Sequence, residues 1–416
     1  MSWSWHKRIQ TRREFLKHSA LAGVGAGLLP MLGAREAAAS IPPGEVRRYS
    51  PLGKTGLKIS DISFGGSRLH QGDEDVVRHA CDRGINYFDS ADTYTDGESE
   101  TVIGNALKGK RDKVHLTSKT LAGPTDKKDT MMAALEGSLK RLQTDYVDVY
   151  FNHAINDLNR IKNPEWHEFT DAAKQQGKIR FAGMSGHAGN LIECLDWGVD
   201  SGRFDVILCA YNFGQDPAFY QRYLRSFDFV AVQTDLPRVI TKAKSRGVGV
   251  VVMKTLRGAR LNDMRPYEKD GATFSQAAFR WVLANPNVDA LIVSMTSTAQ
   301  IDEYLGASGA RATAAADMPL LQRYEHLNAT SQCRQGCGLC ESSCPYGVEI
   351  GEALRTRMYA VDYGDMRLAR DEYALLGNGA AACLTCSAKP CANACVYGLR
   401  PDVLLAPVHR ALTRAI

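Results

Sequence analysis

The sequence predicts an α/β protein: a (β/α)8 TIM barrel over residues 40–306, followed by a small, mainly helical, cysteine-rich domain. Short apolar runs alternate with longer stretches of helical period, and eight such units in roughly 260 residues suit a barrel in both count and length. Polar residues of complementary chemistry close successive predicted strands: Asp89 with Tyr94, then Lys119, then His153. Eight of the eleven cysteines fall between positions 333 and 395. An open, doubly wound sheet would need a phosphate-binding glycine turn after its first strand, and Phe64-Gly65-Gly66-Ser67 lacks that spacing.

The first segment is not part of the fold. Thr11-Arg12-Arg13-Glu14-Phe15-Leu16-Lys17 is a twin-arginine pattern, the Gly-rich apolar run Ser19–Leu32 follows, and Ala37-Ala38-Ala39 is a small-residue cleavage site. We expect residues 1–39 to be a signal peptide read by the Tat translocase and cleaved after Ala39. An uncleaved anchor and an ordinary basic N-terminus are the alternatives. The apolar run, about 14 residues, is short for a hydrocarbon core of roughly 30 Å, so no transmembrane segment is expected in the mature chain. The expected location is the periplasm or the outer face of the cytoplasmic membrane. This export route carries folded proteins, which suits a cofactor inserted beforehand.

The 416 residues give ample chain for a large core, and the formal charge of +5 is modest for that size. Without a long Lys/Arg run there is no case for a nucleic-acid partner or for electrostatic membrane binding. Predicted strands are Ile59–Phe64, Ile85–Ser90, Val114–Lys119, Val147–His153, Ile179–Ser185, Val206–Asn212, Val248–Lys254 and Ala290–Met295. Helical spacing marks Asp73–Arg83, Glu98–Leu107, Lys128–Leu142 and Ser275–Ala284, the last stopped by Pro286. The isolated Cys81, Cys194 and Cys209 read as small packing residues.

Barrel sites lie at the carboxyl ends of the strands, so Asp89, Tyr94, Lys119 and His153 share one arc of the rim. Such residues can converge on a carbonyl oxygen. A phenol donates a proton well only if its pKa, about 10 when unperturbed, approaches the working pH. A nearby ammonium favours the phenolate, and a carboxylate can fix the ammonium. On this reading Tyr94 is the acid, Lys119 the tuner and Asp89 the anchor, while His153 orients the carbonyl or shares in proton relay. The bland reading makes each a strand-end residue serving local hydrogen bonds.

The stretch from about Tyr49 to Gly306 resembles an aldo-keto reductase. Leu52-Gly53-Lys54-Thr55-Gly56-Leu57-Lys58-Ile59-Ser60 with Phe64-Gly65-Gly66 is similar to that family's first hairpin and strand. Phe88-Asp89-Ser90-Ala91 through Tyr94, then Gly97-Glu98-Ser99-Glu100 and Ile103-Gly104, resembles its most specific signature, and Gly177-Lys178-Ile179-Arg180 with Gly183-Met184-Ser185 its fifth strand. The resemblance implies a catalytic tetrad of Asp89, Tyr94, Lys119 and His153, with NADP(H) or NAD(H) as hydride carrier and a small-molecule carbonyl or alcohol as substrate. It also implies cofactor contacts at Ser185 and Gly186 beside the nicotinamide, and at Lys254, Arg257, Gly258, Thr296, Ser297 and Gln300 around the adenosine phosphates. Four positions depart from the family pattern. Gly186 replaces an Asn that holds the carboxamide, Leu208 replaces a Gln, and Met253 stands where many members stack a Tyr. Gln300 occupies the place of an Arg that often pairs with a 2′-phosphate.

Residues 307–330 are Ala-rich and read as a helical connector, leaving residues 331–416 as the tail domain. Its thiols form two runs, Cys333-x3-Cys337-x2-Cys340-x3-Cys344-Pro345 and Cys383-x2-Cys386-x4-Cys391-x3-Cys395, each followed by Tyr-Gly. Four thiolates closing on Cys-Pro resemble a bacterial-type ferredoxin with two [4Fe–4S] clusters, in which the last cysteine of each run serves the other cluster. That pattern groups Cys333, Cys337, Cys340 and Cys395 on one cluster, and Cys383, Cys386, Cys391 and Cys344 on the second. Both runs depart from the usual gaps. Zinc sites and disulfides remain alternatives for the same cysteines. The segment Glu352–Leu376 reads as helical, so the tail resembles a helical two-cluster ferredoxin-like domain.

The combined expectation is an exported oxidoreductase whose iron–sulfur tail exchanges electrons with a redox partner or caps the barrel mouth. The alternative is an electron-transfer or binding subunit whose barrel no longer reduces carbonyls.

Overall fold

The computed structural model describes residues 44–155, 157–187, 190–215, 233, 235–256, 264–269, 271, 273–328, 333, 339–361, 366–395 and 398–413. Residues 1–39, expected to be a signal peptide, and Arg257, Gly258 and Cys337 lie outside these residues. Two compact units are present, one within Pro42–Cys337 and one within Gly338–Ile416.

The first unit begins with an antiparallel hairpin, β1 (Tyr49–Pro51) and β2 (Lys58–Ser60). Eight parallel strands follow: β3 (Ile62–Gly65), β4 (Tyr87–Asp89), β5 (His115–Thr120), β6 (Val147–Asn152), β7 (Ile179–Gly186), β8 (Val206–Ala210), β9 (Gly249–Met253) and β10 (Ala290–Ser294). They close in sequence order, with β10 pairing back onto β3. The expected strand Ile59–Phe64 is in fact two strands, broken at Asp61. There the buried Asp61 carboxylate accepts from the Ile62 amide at 3.0 Å, from Ser308 Oγ at 2.6 Å and from the Gly309 amide at 2.7 Å. These bonds turn the chain from the hairpin into the barrel wall.

The helices between strands match their apolar spacing: α1 (Glu74–Asp82), α2 (Glu98–Ala106), α3 (Lys128–Leu142), α4 (Leu158–Ile161), α5 (Pro164–Gln175), α6 (Leu191–Ser201), α7 (Leu236–Ser245), α8 (Phe274–Leu283) and α9 (Thr298–Leu305). Among the described residues the expected connector is helical over α10 (Asp317–Asn328) and not before it. This helix packs on the barrel unit: Tyr324 stacks on Phe274 at 4.4 Å, and Arg280 grips the Asp317 carboxylate at 2.6 and 2.8 Å. Among the described residues no helix is long and apolar enough to cross a membrane.

The barrel interior is filled from below. Leu52, Leu57 and Ile59 of the hairpin join Tyr87, Val149, Phe151, Val206, Leu208, Val251, Ala290 and Ile292 in one buried cluster. Gly53 makes the plug possible, because its φ is +51° and a Cβ there would sit 2.4 Å from the Gly249 nitrogen. With that end closed, only the carboxyl-end mouth is left for polar side chains.

On the barrel wall, buried Asp148 accepts from Arg111 and the Leu116 amide at 2.9 Å each and from Arg180 at 2.9 Å. Burial works against its charge, but His115, Arg111 and the Leu116 amide outweigh it and hold its pKa at about 2. A lowered carboxylate pKa contributes stability above the unfolded value near 4 that is lost as pH falls through the folded value. Asp148→Asn is therefore expected to cost about 2 kcal/mol at pH 7, read by urea unfolding, with the gap narrowing at pH 3.

Candidate active site

β4 and β5 are parallel neighbours, so Asp89 at the end of one lies beside the end of the other, which carries Lys119. Both side chains are buried, which demands partners for each charge. Lys119 Nζ donates to Asp89 Oδ2 at 2.6 Å and to the Ser90 carbonyl at 2.6 Å, while Asp89 Oδ1 accepts from Thr117 Oγ1 at 2.9 Å. Burial opposes the Lys119 charge, but the Asp89 carboxylate and Tyr94 outweigh it and its pKa is raised.

Tyr94 is delivered by a tight turn. The Asp92 amide donates to the Lys119 carbonyl at 3.1 Å, and the Tyr94 amide to the Ala91 carbonyl at 3.2 Å. Thr95 and Asp96 then take left-handed backbone, φ +48° and +55°, ahead of Gly97 at +85°. Two such residues in succession are strained and persist only where the surroundings hold them. Thr95 Oγ1 does this by donating to the Leu69 carbonyl at 2.7 Å and accepting from the Ser99 amide at 3.0 Å.

The half-buried Tyr94 ring lies 4.8 Å from Lys119 Nζ and meets His153 edge-on at 5.5 Å. The four expected residues are thus gathered at one place. Burial raises the Tyr94 pKa and Lys119 opposes that rise without overcoming it, so the lowered phenol expected from the sequence is not the resting condition. Burial, then the charges of Lys119, His187, Arg160 and Lys254, push the His153 pKa well below the ordinary range and keep the imidazole neutral.

The signature around Ser99 and Glu100 is structural. Ser99 Oγ donates to the Gly66 carbonyl at 2.8 Å and bonds Ser90 Oγ at 2.7 Å. Gly66 fits because a Cβ would lie 2.7 Å from Ser99 Oγ. Fully buried Glu100 accepts from Ser118 and, at 2.7 Å, from Arg141. This clamp joins α2, α3 and β5 behind the Asp89–Lys119 pair. Sequence reasoning missed Thr117, Arg141 and Arg160; only the unexplained acid inside the signature hinted that a partner was needed.

Of the expected nucleotide contacts, those among the described residues lie at or just after the carboxyl ends of β7, β9 and β10. Ser185 Oγ accepts from the Ala154 amide at 3.2 Å, while Leu208 is buried in the core and offers nothing polar. Gly186 has no room for a side chain, since a Cβ would meet the Ile155 carbonyl at 2.6 Å and Leu191 at 2.8 Å. Lys254 is left-handed, φ +57°, and its carbonyl accepts from buried Asn212 at 3.2 Å. Ser297 caps α9 by accepting from the Gln300 amide at 3.3 Å. The Gln300 side chain folds back to accept from the Thr296 amide at 2.8 Å and hydroxyl at 3.0 Å, so it is a capping group with no positive charge to offer.

In the second unit, α11 (Ile350–Val361) and α12 (Met366–Ala374) occupy the stretch between the cysteine runs, and α13 (Pro401–Thr413) follows them. The ten described cysteines are all free, so the disulfide alternative finds no support among them. Burial, with Cys344, Cys391 and Cys386 adding, pushes the Cys383 thiol up to about 11. Burial and then Asp402 raise Cys391, on which Cys344 and Cys386 also act. Cys344, Cys383, Cys386 and Cys391 therefore share one neighbourhood, although among the described residues no three His, Cys, Asp or Glu side chains are arranged to hold a metal ion.

The chain thus folds as a parallel eight-stranded barrel with Asp89, Lys119, Tyr94 and His153 gathered at the carboxyl ends of its strands. The aldo/keto reductase family pattern matches residues 61–322, and this chain belongs to that family. It is 27% identical over 292 residues to L-galactose dehydrogenase of Arabidopsis thaliana, covering 62% of this chain and 86% of that protein. It is 26% identical over 304 residues to a probable voltage-gated potassium channel subunit beta from the same plant, covering 62% and 90%. Among solved structures, an aldo/keto reductase from Klebsiella pneumoniae in complex with NADP and acetate superposes with a TM-score of 0.52 at 24% identity, covering 67% of this chain and 96% of that one. At that identity the likeness is one of fold.

Replacing Gly186 with Asn tests the crowding. We expect a loss of about 1–3 kcal/mol in urea unfolding from overpacking against Ile155 and Leu191, with no gain in nucleotide affinity by fluorescence titration.

Proposed function

We propose that this protein is an exported oxidoreductase that reduces an aldehyde or ketone, or oxidises the corresponding alcohol, with NADPH or NADH. The observation that carries the reading is the ion pair of Lys119 and Asp89 set against Tyr94, with neutral His153 edge-on to the same ring. A bound reduced nicotinamide supplies the hydride for the carbonyl carbon. Tyr94 donates its proton to the oxygen, and the fixed Lys119 ammonium stabilises the phenolate left behind. His153, being neutral, accepts or donates one hydrogen bond and orients the carbonyl. Ser185, Lys254 and the capped start of α9 with Thr296, Ser297 and Gln300 are the described groups that would hold the nucleotide, joined by Arg257 and Gly258. The nicotinamide end fits less well, because Gly186 and Leu208 supply no carboxamide contact. Gln300 gives no charge for a 2′-phosphate, so the two nucleotides remain competing candidates.

We further propose that the tail holds two [4Fe–4S] clusters on Cys333, Cys337, Cys340, Cys344, Cys383, Cys386, Cys391 and Cys395. Support comes from the eight-thiol donor set and from the grouping of Cys344 with Cys383, Cys386 and Cys391. The twin-arginine pattern agrees, since that route exports proteins folded with their cofactors, to the periplasm or the outer face of the cytoplasmic membrane. Clusters move single electrons whereas hydride moves two, and the sequence has no flavin motif to join them. The second reading, a subunit that passes electrons to a redox partner without reducing carbonyls, is favoured by the weak carboxamide grip at Gly186.

Two measurements separate the readings. In anaerobic titration of cluster-loaded mature protein with NADPH and NADH, tight binding is expected from nucleotide fluorescence. No binding of either would sink the reductase reading and favour the subunit. Tyr94→Phe should lower carbonyl turnover at least 100-fold with nucleotide binding intact, and turnover that survives would refute the proton-donor role. In the unsubstituted protein the alkaline limb of kcat/KM should lie above the ordinary phenol value, because burial outweighs Lys119 at Tyr94.

A further inference from the structure

His153 reaches the site without a hydrogen bond to steady the inner edge of its ring. Its Nδ1 is buried and has no hydrogen-bond partner among the described residues. A working imidazole is usually aimed by a bond at the nitrogen it does not use. Here the ring's direction must come from its backbone, and that backbone is held to an unusual degree. The His153 amide donates to the Thr120 carbonyl at 2.9 Å. Ala154, a non-glycine residue in left-handed backbone at φ +51°, donates its amide to Ser185 Oγ at 3.2 Å.

The remaining bonds all come from one side chain on α4, Arg160. Its NH2 group donates to the His153 carbonyl at 2.8 Å and to Asn152 Oδ1 at 3.4 Å, and its NH1 group to the Ala154 carbonyl at 2.8 Å. Its Nε donates to the Ala122 carbonyl at 2.8 Å, three residues beyond Lys119. All four acceptors are neutral oxygens. One planar, charged fork therefore spans the loop after β5 and the loop after β6, a geometry a Lys cannot reproduce.

We infer that Arg160 is a positioning residue of this site, fixing the loop that follows Lys119 and the loop that begins at His153 against each other and placing a guanidinium, which the Asp157 and Asp126 carboxylates only partly offset, beside the imidazole. This rests on the proposed reductase reading for its purpose, though not for its geometry. The charged or titratable groups that act on His153 are Tyr94 from the turn after β4, Lys119 from β5, His187 after β7, Lys254 after β9 and Arg160 itself. Four are cationic when protonated, and Arg160 is the one that also grips the His153 main chain. A mere staple would lend stability to the loop but would leave the behaviour of the ring unchanged once the protein is folded.

The experiment compares Arg160→Lys and Arg160→Gln in the full cluster-loaded chain. Histidine-labelled protein is followed by NMR across pH, with His153→Asn assigning the signal, and kcat, KM and Tm are measured alongside. Arg160→Gln should raise the His153 pKa by about half a unit or more. Arg160→Lys should keep the pKa low but shift the ring resonances and lower kcat about tenfold, with a smaller change in KM. If both variants lower Tm while the His153 signals and pKa stay as they were, Arg160 is only a staple and the inference is wrong. If neither variant folds, Ser185→Ala, which releases the same loop from its other side, should shift the His153 resonances, and unchanged resonances there refute the clamp. Absence of turnover in the unsubstituted protein would defeat the reductase reading, while the NMR result would still decide the role of Arg160.

Discussion

The candidate site depends on one buried ion pair. Lys119 and Asp89 lie in a region where neither charge has water, and each is tolerable only because the other and a small set of oxygens and hydroxyls complete its bonding. The pair exists because Asp89 stands in register with Thr117 on the parallel neighbour, two residues before Lys119 on the same strand, and the barrel's closure fixes that alignment. Behind it, Glu100 and Ser99 fasten the adjoining helices and the first-strand loop, so the pair cannot relax by moving the walls apart. Tyr94 is then hung over the ammonium by a strained turn, and His153 completes the arc.

Electrostatics give this arrangement its character. Burial raises the phenol and Lys119 pulls the other way, which leaves a proton donor held in reserve. Burial first, then the same ammonium and the other cations around it, keep His153 neutral, so the histidine offers hydrogen bonding and not a fixed charge. The nucleotide side of the mouth is less well provided. Main-chain atoms and Leu191 crowd Gly186, and Gln300 is spent on capping its own helix. The buried ion pair with its tyrosine and histidine, the crowded Gly186 and the self-capping Gln300 thus sit in one barrel.

Much of the fold was legible because barrel strands and helices carry their period in the chain. Lys128–Leu142 stands where its spacing placed it, and the strands fall within a few residues of expectation. The break at Asp61 was not legible, since an apolar run reads as one strand until Ser308 and Gly309, some 247 positions away, claim the carboxylate. Gln300 and Gly186 could be noticed as departures, but whether they left an opening depended on neighbours from other segments. Arg160 gave no sign of its role, because three of its four acceptors are backbone carbonyls and a carbonyl has no residue identity.

By itself the sequence determined the eight-unit barrel, the four polar residues at successive strand ends and the two runs of thiols, because periodicity and residue type are written locally. Only the tertiary structure decided the state of those groups. Protonation depends on burial and on charges brought in from distant strands, and the aim of a ring depends on which main-chain oxygens a remote guanidinium can reach.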